Sequence, residues 1–199
     1  MIAFNGFPKI SRLSRDVVVT EKIDGTNAQI FIEYSSLLPD DEDRFITVKD
    51  GLLLFAGCRS RWITPKDDNF GFARWVETNA DELFKLGPGS HFGEWWGSGI
   101  QRGYGLTKGE KRFSLFNTAR WSDDLVRPTC CHVVPVLGQH TFDTGFIQTC
   151  LDNLRTGGSV ASPGFPNPEG VVIFHTASRQ LFKKTLDKDA EPKSVANGG

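Results

Sequence analysis

The stretch VVVTEKIDGTNAQIFIEY, Val17 to Tyr34, constrains the fold most. Val17–Ile23 is short and β-branched, so it reads as a buried strand. Asp24-Gly25-Thr26-Asn27 carries turn chemistry. Residues 28–34 then alternate apolar and polar, the pattern of a returning strand that closes a hairpin. A chain that begins this way commits to β-structure. The 21 glycines, 16 phenylalanines and five tryptophans agree, since they suit many turns around an aromatic core better than a helical bundle.

The remaining punctuation extends that pattern. Residues 45–61 read as a second hairpin with Asp50-Gly51 at its turn. Residues 67–86 carry the helical spacing of Phe72, Trp75, Val76, Leu83, Phe84 and Leu86, and GPGS (87–90) stops them. Strands are expected at 91–97, 112–121 and 130–139, a Gly-rich loop at 98–111 and a helix within 142–154. A last antiparallel pair is expected at 169–176 and 179–186. Residues 1–16 read as an irregular segment bearing Lys9, Arg12 and Arg15, and 187–199 as a polar tail.

Bulk properties narrow the function. At 199 residues the chain has the size of one domain. The net charge of −1 excludes nucleic-acid binding through overall charge, so any such contact must use local patches. The four cysteines, Cys58, Cys130, Cys131 and Cys150, have no CxxC spacing, so free thiols in a reducing compartment are expected, not zinc. No apolar run reaches the roughly 18 residues of a membrane span, and the first residues lack a secretory pattern. A cytoplasmic setting, in a bacterial or phage-infected cell, is the expectation.

The chemistry-bearing residues fall at strand ends. EKIDGTN holds Lys22; CRSR holds Arg59 and its rival Arg61; FGEWWG holds Glu94; FSLF holds Phe116; PEGVVIF holds Glu169; QLFKKT holds Lys183 and Lys184. A lysine beside an Asp-Gly turn is ordinarily a solvated strand residue, so Lys22 alone says little. The ordered set resembles the six motifs of the covalent nucleotidyltransferases, and within them the ATP-dependent RNA ligases that seal nicks in phages and in trypanosome editing complexes. The resemblance runs from about Glu21 to Leu186.

That resemblance implies an α+β fold of two antiparallel sheets with flanking helices around an ATP cleft. It implies a ligase domain over 1–186; such ligases usually carry a further nucleic-acid-binding domain, for which 187–199 is too short, so a protein partner, or direct contact by the core, is expected in that domain's place. Lys22 would attack the α-phosphate of ATP, giving lysyl-AMP, which passes its AMP to an RNA 5′-phosphate before a 3′-hydroxyl attacks. Free lysine is protonated at neutral pH, and freeing the amine takes about 4–5 kcal/mol. Neighbouring cations (Lys183, Lys184, Arg59 and a bound Mg²⁺ or Mn²⁺) would supply much of it.

The other roles follow from the same resemblance. Glu21 would help recognise adenine, or is a solvated strand residue. Ile23 would line the nucleotide site. Asn27 would assist sealing, or caps the turn. Arg59 would hold the ribose or a phosphate through its planar fork. Glu94 would accept from a ribose hydroxyl. Phe116 would stack on adenine, or is plain core. Glu169 would hold the metal. Lys183 and Lys184 would grip the α-phosphate, but the family's K-x-K is here K-K-T. Adjacent strand residues face opposite sides, so only one lysine can enter the cleft; Lys183, on the same side as Thr185, is favoured. Lys193 is a candidate for the second position. Arg102, Lys108, Lys111 and Arg112, around Tyr104, suit a nucleic-acid backbone or a solvated loop. A DNA ligase, a capping-type guanylyltransferase and a non-catalytic RNA-end binder remain alternatives.

Overall fold

The computed structural model describes residues 4–34 and 44–187. Two sheets carry the fold. The smaller runs β11 (Gln180–Thr185), β10 (Gly170–His175), β1 (Asp16–Lys22), β9 (Val136–Thr141), all antiparallel. The larger runs β3 (Thr47–Lys49), β4 (Leu52–Cys58), β2 (Thr26–Tyr34), β6 (Gly89–Gly97), β7 (Lys111–Leu115), β8 (His132–Val133), with β5 (Trp62–Ile63) also on β4. Among the described residues no helix is long and apolar enough to cross a membrane.

The expected first hairpin does not form. β1 pairs with β10 and β9, whereas β2 pairs with β4 and β6, so Asp24-Gly25 passes the chain from one sheet to the other. Gly25 is required for a reason other than turn geometry. A Cβ there would stand 2.5 Å from the Trp95 carbonyl oxygen and 2.7 Å from the Trp96 Cβ. Only glycine lets the crossing lie this close to β6. The second hairpin does form, with Asp50 and Gly51 both at positive φ between β3 and β4, as a two-residue turn of this kind demands.

Two further expectations change. The 130–139 strand is cut at Pro135: β8 joins the larger sheet, parallel to β7, and β9 joins the smaller. Proline cannot donate to a ladder, which suits it to this crossing. The 112–121 strand ends at Leu115, and α3 (Thr118–Trp121) follows, with the Asn117 side chain accepting from the Arg120 N–H. The 67–86 region forms α1 (Phe72–Thr78), α2 (Ala80–Leu83) and a short 3₁₀ turn.

Strand alternation sorts the large sheet into two faces. Ala28, Ile30, Ile32, Leu54, Ala56, Trp95, Phe113 and Leu115 are buried against Phe72, Ala73, Val76 and Leu83. Asn27, Gln29 and Phe31 take the other face, opposite Glu94, Phe92 and Ser90. The small sheet buries Val17, Val19, Val171 and Ile173 against α4 (Thr144–Gly157). The inward residues of α4, Ile147, Cys150, Leu151 and Leu154, keep helical spacing, and Asp143 caps the helix by accepting from the Phe146 N–H at 2.8 Å. Each such apolar side chain contributes about 1.5–3 kcal/mol on burial. A third cluster, Ile23, Trp96, Tyr104 and Val134, fills the junction between the sheets.

Candidate active site

Lys22 closes β1 beside that junction, with its backbone opposite Gly170 on β10. Its ammonium forms an ion pair with the Glu169 carboxylate, and both side chains are mostly buried. Glu94 stands close by on β6. One carboxylate oxygen accepts from the Gly25 N–H at 3.1 Å and the other from the Asn27 amide at 2.9 Å. Burial pushes the Glu94 carboxyl up to about 7. Glu169 adds to the rise, while the Lys22 charge and the two donors oppose it. Residues from both sheets thus come together: Lys22 from the small sheet with Glu169 just before β10, and Glu94 and Asn27 from the large.

The register of β11 separates the two lysines. Lys183 pairs with Val172, which pairs with Thr20; Lys184 pairs with Val171, which pairs with Glu21. Lys183, Thr20, Lys22 and Thr185 therefore share a face. Lys184 lies on the α4 side, where its ammonium donates to the Gln148 side chain at 2.9 Å. Lys183 is exposed. Lys193 lies outside the described residues.

Glu21 also lies on the α4 face, buried to 1% exposure. It is not a solvated strand residue. Its carboxylate accepts from the Ser159 hydroxyl at 2.6 Å and from the Val160 and Ala161 N–H groups at 2.8 Å each. Burial pushes the carboxyl up, and these three donors work against it. Glu21 thereby fixes the loop after α4. Ile23 is buried with Trp96 and Tyr104 beneath the site.

Arg59 sits at the tip of the β4–β5 hairpin, one residue past the Ala28–Cys58 pair, exposed and without an acidic partner among the described residues. Arg61 is instead held by Asp67 through both guanidinium nitrogens. Phe116 follows β7 at 42% exposure, too open for a core residue, and its N–H donates to the Phe92 carbonyl.

The loop from 98 to 112 departs most from the surface reading. Tyr104 is fully buried and stacks on Phe165 with ring centroids 4.6 Å apart. Its hydroxyl accepts from the Asp24 N–H at 3.1 Å and the Glu169 N–H at 3.3 Å, and donates to the Lys22 carbonyl at 3.3 Å. One oxygen therefore ties the backbone of Lys22 to that of Glu169. Arg102 braces the same region, reaching Asp24 at 3.1 Å, the Asn167 carbonyl at 3.1 Å and Asp187 at 3.5 Å. Arg112 is held by Glu110 and lies over the Trp96 ring. Lys108 is exposed, and Lys111 is half-buried. Sequence spacing gave no sign of the Tyr104 role, because a Gly-rich loop looks alike whether it hangs in solvent or folds inward.

Among the described residues no group of three or more His, Cys, Asp or Glu side chains is poised to hold a metal. The Glu169 carboxylate offers the hard oxygen donor that a cation such as Mg²⁺ takes, and a cation there would need water and phosphate oxygens for its other ligands.

These features find a match among known proteins. The RNA ligase family matches residues 15–186, and the chain belongs to that family. No curated protein matches. Among solved structures, the fold is similar to a variant of a Naegleria gruberi RNA ligase with ATP and Mn, at 18% identity and a TM-score of 0.59, over 88% of this chain and 51% of that one. An apo variant of a Naegleria gruberi RNA ligase gives 16% identity and a TM-score of 0.57, over 86% and 50%. The chain thus spans about half the length of these ligases.

Proposed function

We propose that the chain is an ATP-dependent RNA ligase that works through lysyl-AMP. One observation carries the reading. Lys22 is ion-paired with Glu169, just before β10, and its charge reaches Glu94 on β6, at the junction of two sheets, with Lys183 on its own face. Membership of the RNA ligase family, and the ATP and Mn of the similar Naegleria structures, support it. The substrate class is RNA with 5′-phosphate and 3′-hydroxyl ends, and the setting is RNA repair inside a bacterial or phage-infected cell.

The residues divide the work. The Lys22 nitrogen bonds to the α-phosphorus as the bond to pyrophosphate breaks. An ammonium has no free electron pair, so the Lys22–Glu169 ion pair must open and the proton must pass to solvent water first. Tyr104 keeps the Lys22 backbone in register with Glu169 meanwhile, which preserves the line of attack. Lys183 stabilises negative charge on the α-phosphate from the Lys22 face. Glu94, in its charged form, accepts from a ribose hydroxyl. Phe116 offers an open ring to the adenine. A divalent cation held by Glu169 would supply charge neutralisation at the triphosphate.

Incubating the chain with Mg²⁺ and α-labelled ATP or GTP, then with nicked RNA or DNA duplexes, tests this. Label from ATP followed by sealing of RNA is expected. Label from GTP alone would point to capping chemistry, sealing of DNA alone would refute the RNA assignment, and no label would refute the enzyme reading.

A further inference from the structure

Beyond the Lys22 site, the open face of the large sheet carries a row of side chains of which only Phe116, at one end, has a part in the reaction above. Phe116 adjoins Phe92; Phe92 pairs with Gln29, Gln29 with Gly57, and Gly57 with Trp62. The row crosses five strands one step from Glu94 and Asn27. At about 4.8 Å per strand it spans roughly 19 Å.

Its surface is aromatic and open. Phe92 is 55% exposed and Trp62 37%. A Cβ on Gly57 would stand 3.1 Å from two ring carbons of Trp62, so the indole lies against bare backbone. Phe31 and Phe55 flank it at 5.7 and 5.4 Å between centroids. The Gln29 amide is held by Ser90 at 3.1 Å. The row contains no charged side chain, and Arg59, without an acidic partner among the described residues, stands at its edge on the Asn27 side.

We infer that this row is a stacking floor for the unpaired terminal nucleotides of an RNA strand, with Arg59 on a backbone phosphate. Flat aromatic rings beside a free guanidinium match the two surfaces of a single strand, its bases and its phosphates. A duplex stacks its bases against each other and has few faces to offer. The floor is continuous with Phe116 and runs one step from Asn27 and Glu94, so a strand laid on it passes beside the Lys22 site. The inference rests on the ligase reading for its substrate class, but it makes a separate claim.

The test measures fluorescence anisotropy of a labelled, 5′-phosphorylated single-stranded RNA octamer against the intact chain, Trp62→Ala, Trp62→Phe and Phe92→Ala. Lysyl-AMP formation from ATP alone is followed in parallel. Trp62→Ala and Phe92→Ala should each weaken RNA binding about tenfold, and Trp62→Phe should restore most of it. Lysyl-AMP formation by both alanine variants should stay within about twofold of the intact chain, since the reaction above gives neither side chain a role at the nucleotide. Arg59→Gln should flatten the salt dependence by about 0.7 in log–log slope, the loss of one phosphate contact. Unchanged RNA affinity in both alanine variants, or no binding by the intact chain, overturns the floor even if lysyl-AMP forms. RNA binding that depends on Trp62 and Phe92 upholds the floor even if lysyl-AMP does not form, in which case the ligase reading alone falls. Equal loss for a blunt duplex overturns the preference for unpaired ends.

Discussion

Replacing Glu94 with glutamine tests the electrostatics of the site. The Glu94 carboxyl is pushed up to about 7, chiefly by burial, against an ordinary value of about 4.5. The native chain therefore keeps this proton to higher pH than the unfolded chain does. Wherever the native state binds more protons, stability falls as pH rises. The contribution is fully present below about pH 4.5 and is lost as pH climbs through about 7. At about 1.4 kcal/mol per tenfold, the whole gap is worth about 3 kcal/mol. In a chain of this size 1 kcal/mol moves Tm by about 2–4 °C, so the gap corresponds to about 6–12 °C. Glu94→Gln keeps the shape and removes the titration. Melts at pH 5 and pH 8 should show its advantage over the unaltered chain growing by about three quarters of that amount at pH 8, while lysyl-AMP formation falls. A Tm difference that does not vary with pH would refute the account of Glu94.

Three other substitutions probe the site's construction. Tyr104→Phe keeps the stack on Phe165 but strands two N–H groups; it should cost about 1–3 kcal/mol in denaturant melts, and single-turnover lysyl-AMP formation should slow by more than tenfold. Gly25→Ala drives a methyl into the Trp95 carbonyl and should destabilise by about 1–3 kcal/mol, seen as a lower midpoint in urea. Lys183→Ala should cut lysyl-AMP formation about a hundredfold, whereas Lys184→Ala should stay within about threefold; the reverse order would place Lys184, not Lys183, on the phosphate.

The sequence made local features readable and left long-range ones obscure. Strand alternation alone put Lys183 and Thr185 on one side, and the β11 register agrees. The Asp50-Gly51 turn was equally plain, since two adjacent positive-φ residues have distinctive chemistry. Asp24-Gly25 carried the same signal and meant something else, because its glycine answers to Trp95 and Trp96, about 70 residues away. Residues 130–139 read as one strand, because nothing local reveals that the halves on either side of Pro135 pair with different sheets. Glu21, open between adenine recognition and a solvated strand residue, and Arg102, open between a nucleic-acid contact and a solvated loop, gave no hint of their bracing roles, because their partners lie in distant loops. Tyr104 was noticed only as an aromatic among cations, and nothing in its neighbours predicts that it links Lys22 to Glu169.

The central claim is that Lys22 carries the nucleotide. Incubation with ATP and Mg²⁺, digestion, and tandem mass spectrometry of the peptide spanning Val17–Tyr34 would locate the adduct. An adenylyl group on the Lys22 side-chain nitrogen, absent from Lys22→Ala, is the predicted result. An adenylyl group on another lysine, or a chain that binds ATP and never becomes adenylylated, would contradict it.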